Sequence, residues 1–337
     1  MRYSTTLTGT ESIVITIGNF DGIHKGHQEL MHEVCKLAEK LNSLPVLLTF
    51  QPHTLKVVRP EIDLRCLTTL EEKLALARVY GGIHDSIVME FTPEVAAMSA
   101  SEFMDDLCAH FKLRGLVVGA NFSLGHNRMG DVAFLQEYCQ PRGIAVQAIP
   151  LEEIQYQRVS STRIRKLVSE GNVAQARDLL GHVVTLNGNV ARGDQRGRLL
   201  GFPTANIVPP VEKLIPANGV YAARVLVAKE PAQSDLVHSL SVSLGGNIGD
   251  DETLASWDTY TSAVNIGVRP TFDGQTRLVE AHLLGVEGVD LYDRYMSIQF
   301  IARLRSEQRF AGIESLKAQI AEDVQNVHLV LQKDGQA

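Results

Sequence analysis

The sequence predicts two domains, a parallel β-sheet covered by helices and then an antiparallel β-barrel with a C-terminal helix. Three observations carry this reading. Apolar strand-like runs alternate with helical patterns as far as about residue 180, the pattern of a parallel α/β sheet. After His182 the alternation stops, and short β-like runs with turn residues between them follow, as in a small barrel. The chain then closes on Ile313, Leu316, Ile320, Val324 and Val327, which share one helical face. A length of 337 residues suits two cores. The change of pattern sets the domains at residues 1–181 and 182–337.

In order, Ile13 to Ile17 is a short apolar run that reads as a buried parallel strand. Leu30, Met31, Val34, Leu37, Ala38 and Leu41 form one face of the helix that follows. Strands are expected at Leu44–Phe50, Ser86–Met89, Gly115–Gly119 and Ile144–Ile149. Helices are expected at Leu70–Tyr80, Pro93–Ala97, Ser101–Phe111, Asp131–Cys139, from Ser160 to Val168, and at Val173–Leu180. This is a Rossmann-like plan, in which ligands bind beyond the carboxyl ends of the strands. The barrel strands are expected at Val183–Val190, Gly219–Ala228, Thr259–Ile266, Arg277–Val286 and Met296–Ile301. Residues 229–258 are polar, contain Pro231, Gly245, Gly246, Asn247 and Gly249, and read as a mobile insertion.

Composition narrows the function. The hydrophobic fraction of 45% is ordinary for a protein with a proper core. A net charge of −7 gives no global basic field for nucleic acid. Cys35, Cys66, Cys108 and Cys139 are widely spaced and form no Cys-x-x-Cys pair, so reduced thiols are expected rather than a disulfide or zinc framework. The N-terminal apolar run is too short for a signal peptide core or a membrane span. The expected location is cytoplasmic, with no membrane partner.

The stretch Gly18-Asn19-Phe20-Asp21-Gly22-Ile23-His24-Lys25-Gly26-His27 links the first strand to its helix. A helix N-terminus offers unpaired N–H groups and the positive end of a dipole, which suits phosphate. Gly22 and Gly26 remove side chains where a ligand would approach the backbone. His24 and His27, three residues apart, would lie on one side and donate to phosphate oxygens. Two further segments, Thr49-Phe50-Gln51-Pro52-His53-Thr54 and Gly119-Ala120-Asn121-Phe122-Ser123-Leu124-Gly125, also follow strands. Asn121 has both a donor and an acceptor for a base or ribose. In Ser160-Ser161-Thr162-Arg163-Ile164-Arg165 a hydroxyl would cap the helix, and the arginines could clamp phosphate. In the second half, Gly201-Phe202-Pro203-Thr204-Ala205-Asn206 offers neutral oxygens on alternate positions, which suits Mg²⁺ shared with substrate phosphates. Gly193, Gly197 and Gly201 would let that loop wrap a nucleotide.

These residues resemble a known family. The His-x-Gly-His spacing after Gly-Asn-Phe-Asp-Gly is similar to the signature of nucleotidyltransferases that handle ATP phosphates. With Gly201–Asn206, Gly219-Val220-Tyr221-Ala222, Val264–Phe272 and Val279–Leu284 in order, the chain resembles the bacterial bifunctional riboflavin kinase/FAD synthetase family over about residues 11 to 330. The resemblance implies a nucleotidyltransferase-like first domain that adenylylates FMN to FAD with release of pyrophosphate. It implies a second domain that phosphorylates riboflavin to FMN. ATP is the co-substrate and Mg²⁺ the cofactor, and riboflavin, FMN, FAD and ATP/ADP are the ligands. A homo-oligomer is compatible with all of this. In the first site the implied ligand contacts are Gly18, Phe20, Asp21, Gly22, Gly26, Asn121, Ser161, Thr162, Arg163 and Arg165, with His24 and His27 at the phosphates. In the second, Glu280 is the implied base and Thr204 and Asn206 hold Mg²⁺. Gly193, Gly197, Arg198, Gly201, Pro203, Asn265 and Arg269 contact ATP or riboflavin. Thr54, Leu124 and Asp293 stand where the family usually has Pro, Phe and Gly. A chain active in one half only, a flavin-storage or flavin-sensing protein, and an adenylyltransferase for another phosphate ester are the other readings. The intact Glu280, Thr204 and Asn206 argue against a pure binder.

Overall fold

The computed structural model describes residues 1–150, 153–154, 157–191, 204–229, 240, 257–271, 274–286 and 291–335. The chain forms two compact units, Met1–Ser161 and Thr162–Ala337.

The first unit is built on a six-stranded sheet: β1 (Tyr3–Thr5), β2 (Ser12–Ile17), β3 (Leu44–Gln51), β4 (Asp85–Glu90), β5 (Lys112–Gly119) and β6 (Ala145–Ile149). Their spatial order is β1-β4-β3-β2-β5-β6. β2 to β6 are parallel, and β1 adds an antiparallel edge on β4. That edge is an addition to the expected all-parallel sheet; three residues are too few for a period to show. Strand side chains alternate between faces. Ile13, Ile15, Ile17, Val46, Leu48, Phe50, Ile87 and Met89 pack with Phe103, Met104 and Leu107 of α5 (Ala100–His110) and Leu135 of α6 (Val132–Cys139). On the other face α1 (Lys25–Lys40) buries Met31, Val34, Leu37 and Ala38, and α3 (Leu70–Gly81) packs beside it. α2 (Thr54–Val58) and α4 (Pro93–Ala97) are short, and α2 lies where only a loop is expected. The strand order reverses at β2, between β3 and β5, and such switch points open a crevice beyond the strand ends.

In the second unit α7 (Ser161–Ser169) and α8 (Val173–Leu180) precede a closed antiparallel barrel. Its strands are β9 (Val184–Ala191), β10 (Thr204–Ile207), β11 (Gly219–Ala228), β12 (Trp257–Thr271), β13 (Gly274–Leu283) and β14 (Tyr295–Arg305). The cyclic order is β10-β13-β12-β11-β14-β9. Register and burial place Ala205, Ile207, Val264, Ile266, Val279 and Ala281 inside, with Tyr221 edge-on to Phe300 at 5.3 Å. α9 (Ile313–Asp334) lies along β11, β12 and β14. It is held by a bidentate pair from Arg305 to Asp323, at 2.9 and 2.7 Å. Most of the expected insertion at 229–258 lies outside the described residues.

Candidate active sites

The first site grows from the turn after β2. Gly18 N–H donates to the Leu48 carbonyl at 3.1 Å, and the chain then folds back on itself. A Cβ on Gly18 would press on the Phe20 ring at 3.1 Å, so any larger residue there would push that ring aside. Phe20, Gly22 and Ile23 take left-handed φ of 49°, 85° and 38°. For the two non-glycine residues this costs on the order of 1–3 kcal/mol each, and such strain persists only where surroundings enforce it. The enforcement is visible. Asp21 Oδ1, 2% exposed, accepts from Thr68 N–H at 3.1 Å and from the Thr68 hydroxyl at 3.3 Å. The Gly22 N–H donates to Thr68 Oγ1 at 3.2 Å. The Ser161 hydroxyl, at the start of α7, donates to the Asp21 carbonyl at 2.9 Å. Asn19 is clipped to Thr54: its Nδ2 donates to Thr54 Oγ1 at 2.8 Å, and its Oδ1 accepts from Thr54 N–H at 3.0 Å.

His24 caps α1. Its Nδ1 accepts from His27 N–H at 3.3 Å, which leaves the ring proton on Nε2. The His27 ring stacks on it with centroids 3.6 Å apart, and meets the Phe20 edge at 5.1 Å. His27 Nδ1 is buried without a hydrogen-bond partner among the described residues. Burial, His24 and Lys73 together hold the His27 imidazole well below its usual protonation range. His27 is therefore a neutral ring, stacked on a His24 ring whose Nδ1 is an acceptor. A Cβ on Gly26 would meet only the His24 ring at 3.5 Å, so the fold itself does not require glycine there. Asn121 is exposed beyond the end of β5, the strand beside β2. Thr162, Arg163 and Arg165 continue α7 in the second unit.

One buried group escaped the sequence reading. Lys73, on α3, is 5% exposed and donates to Thr49 Oγ1 at 3.0 Å. A lysine inside an amphipathic pattern reads as solvated until the tertiary fold closes over it.

The second site is a row on the outer wall of the barrel. Asn206 of β10 stands opposite Glu280 of β13, and Glu280 opposite Asn265 of β12. Directly opposed residues have Cβ atoms about 4.5–5.5 Å apart. Glu280 alternates with Val279 and Ala281, both 0% exposed, so it points away from the core and is half-buried. Thr204 and His282 form the next row on the same face, and burial pushes the His282 imidazole down. Asn206 Oδ1 is buried and has no hydrogen-bond partner among the described residues. A neutral oxygen so placed, with the Thr204 hydroxyl two residues along and a carboxylate opposite, fits a hard cation such as Mg²⁺. Among the described residues no group of three or more His, Cys, Asp or Glu side chains could hold a metal. Further along β12 a Cβ on Gly267 would run into the Glu307 carboxylate, near Asn265. Arg269 is placed on β12 by its backbone. Gly193, Gly197, Arg198, Gly201 and Pro203 lie outside the described residues.

The chain thus carries two modules, a doubly wound sheet with a glycine-bearing turn at its switch point and a closed barrel with a carboxylate on its outer wall. Residues 7–163 match the FAD synthetase family and residues 180–331 the riboflavin kinase family. The chain belongs to the bifunctional riboflavin kinase/FMN adenylyltransferase family, with its FAD synthetase half first and its kinase half second. It is 35% identical over 315 residues to the bifunctional riboflavin kinase/FMN adenylyltransferase of Escherichia coli K12, covering 93% of this chain and 91% of the relative. With the Pseudomonas fluorescens protein of the same name, identity is 34% over 319 residues, covering 92% and 90%. A solved structure described as a macrolide-efflux protein from Streptococcus pneumoniae is similar, with a TM-score of 0.79, 26% identity and 95% of each chain covered. Among the described residues no helix is long and apolar enough to cross a membrane. Both activities use ATP, with riboflavin and FMN as acceptors.

Proposed function

We propose that the two sites work in sequence, the barrel row making FMN and the β2–α1 turn converting it to FAD. In the barrel, Glu280 takes the proton from the 5′-hydroxyl of riboflavin as that oxygen attacks the γ-phosphorus of ATP, the bond to the β-phosphate oxygen breaks, and ADP leaves. Thr204 and Asn206 hold Mg²⁺, and the buried unpaired Asn206 Oδ1 opposite Glu280 is the observation that carries this reading. The ion, when bound, neutralises phosphate charge. Asn265 and Arg269, with Gly193, Gly197, Arg198, Gly201 and Pro203, are assigned to ATP or riboflavin from the family pattern. The kinase domain is taken as residues 182–337 and the adenylyltransferase as 1–181.

In the first site the FMN phosphate attacks the α-phosphorus of ATP and pyrophosphate leaves. No covalent intermediate is required, only positioning and charge stabilisation. The α1 N-terminus and the N–H groups of His24 and His27 face the phosphates. Neutral imidazoles suit this, because their hydrogen bonds strengthen as charge develops on the oxygens. Gly18, Phe20, Asp21 and Gly22 shape the turn, and Gly26 leaves the helix end open. Asn121, Ser161, Thr162, Arg163 and Arg165 are assigned to nucleotide or flavin on the family pattern. The absence of a spanning helix among the described residues and the bias toward reduced thiols support a cytoplasmic location.

Incubating the purified protein with riboflavin, ATP and Mg²⁺, and resolving FMN and FAD over time, tests the scheme. FMN should appear first and FAD after it, and omitting Mg²⁺ should stop FMN formation. FAD from riboflavin without an FMN intermediate would overturn the order, and undiminished FMN formation in chelator would overturn the metal site.

A further inference from the structure

Lys73 is a buried titratable group that neither step uses. Its ammonium sits under the β2–α1 turn, and among the described residues its one hydrogen-bond acceptor is Thr49 Oγ1, at 3.0 Å. An ammonium has three donors, and burying it so sparsely is costly. Thr49 in turn donates to the Asn19 carbonyl at 3.3 Å, inside the turn. Lys73 lies near the start of α3, and Thr68, just before the helix N-cap Thr69, holds Asp21 and Gly22. The same short stretch thus carries the cation and the clamp on the strained loop.

We propose that Lys73 is a positioning residue of the adenylyl-transfer site, holding the Gly18–Gly22 turn through Thr49 and placing positive charge behind His24 and His27. The proposal rests on the reading of those histidines as phosphate-facing. The groups that face Lys73 are Asp21 from the turn, His27 from α1 and Cys66 from the segment before α3. Glu72, on α3 itself, is engaged in the capping box with Thr69. Burial lowers the lysine to about 8, against the opposing pull of Asp21 and Cys66. Its charge is therefore present at neutral pH and fades as the medium becomes alkaline. A cation behind the site adds to phosphate affinity and helps keep the His27 ring unprotonated.

The test is kcat/KM for ATP in FMN adenylylation by the full chain, from about pH 6.5 to 9.5. It is run on the wild type, Lys73→Met, Lys73→Arg and Cys66→Ser, with riboflavin phosphorylation as the internal control. kcat/KM reports ionisations of the free enzyme. The wild type should fall on the alkaline side with a midpoint near 8, and Cys66→Ser should keep the fall with its midpoint at or below that, having lost the thiol's upward pull. Lys73→Met should be about 10–100-fold slower at neutral pH, less than the loss of a direct oxyanion donor, and should lack the alkaline fall. Lys73→Arg should lack the fall and retain more activity, since arginine keeps its charge throughout. All should phosphorylate riboflavin normally. An alkaline fall that persists in Lys73→Met or Lys73→Arg, or wild-type kcat/KM in Lys73→Met, overturns the proposal. If Lys73→Met is misfolded, Lys73→Arg decides alone. A wild type with kinase activity and no FAD formation would instead remove the reading of the turn, and this proposal with it.

Discussion

At the scale of single residues, the sites make separable predictions. His27→Ala should reduce FAD formation from FMN by about 10²–10³ while riboflavin phosphorylation is unchanged; equal FAD yields would remove the histidine pair from the mechanism. Glu280→Gln keeps size and hydrogen-bonding reach but cannot accept the hydroxyl proton, so FMN formation should fall by about 10²–10⁴. FAD should still accumulate when FMN is supplied, and loss of both activities would show that the change had disturbed the fold. Thr54 tests the clip on Asn19. Proline at the first position of a helix is well tolerated, yet Thr54→Pro removes the N–H and the hydroxyl that hold Asn19. Two such bonds are worth about 1–3 kcal/mol together, so KM for adenylylation should rise several-fold with the kinase step intact. His27 also carries a pH signature in stability. Its folded-state protonation lies well below 6.5, so the unfolded chain binds the extra proton as pH falls through about 6.5 and stability is lost from there downward. Acid titration of the melting temperature, flatter in His27→Gln than in wild type, would show it.

At the scale of elements, α3 is a clamp as well as a packing unit. Thr69→Ala breaks the capping box with Glu72 and should cost about 1 kcal/mol, as should Asp131→Ala, which uncaps α6. Only Thr69→Ala should also slow FAD formation, because its neighbour Thr68 holds the strained turn. Equal effects on activity would separate the cap from the site. Most elements were legible in the sequence because their apolar periods were long. Leu44–Gln51, Val173–Leu180 and Gly219–Ala228 fall where alternation and turn residues put them. β1, α2 and β10 were not legible as elements, being three to five residues long, too short to show a period. The motif residues were legible from their spacing and family resemblance. Their arrangement was not: no pattern along the chain says that Asn206, Glu280 and Asn265 share one row, since pairing is a property of register. Nor does a lysine in a helix reveal that a loop will bury it.

At the scale of the whole molecule, the question is where the halves divide. α8 buries Val173, Ala176, Leu179 and Leu180 and packs on β9 and β14. A fragment from Gly181 onward and one from Thr162 onward should both make FMN from riboflavin, and the longer should melt at the higher temperature because it keeps that apolar face covered. A folded fragment of either length without kinase activity would show that the barrel needs the N-terminal half. The barrel has one more consequence, for how the gene can change. On β13 the chemistry and the core occupy alternate positions, with Glu280 between Val279 and Ala281. Inserting or deleting a single residue there would turn the carboxylate inward and two apolar side chains outward in one event. Lineages can therefore drift in the loops between strands, but along this strand they can only substitute, never lengthen by one. Selection for a folded barrel and selection for a flavin kinase act there as the same filter.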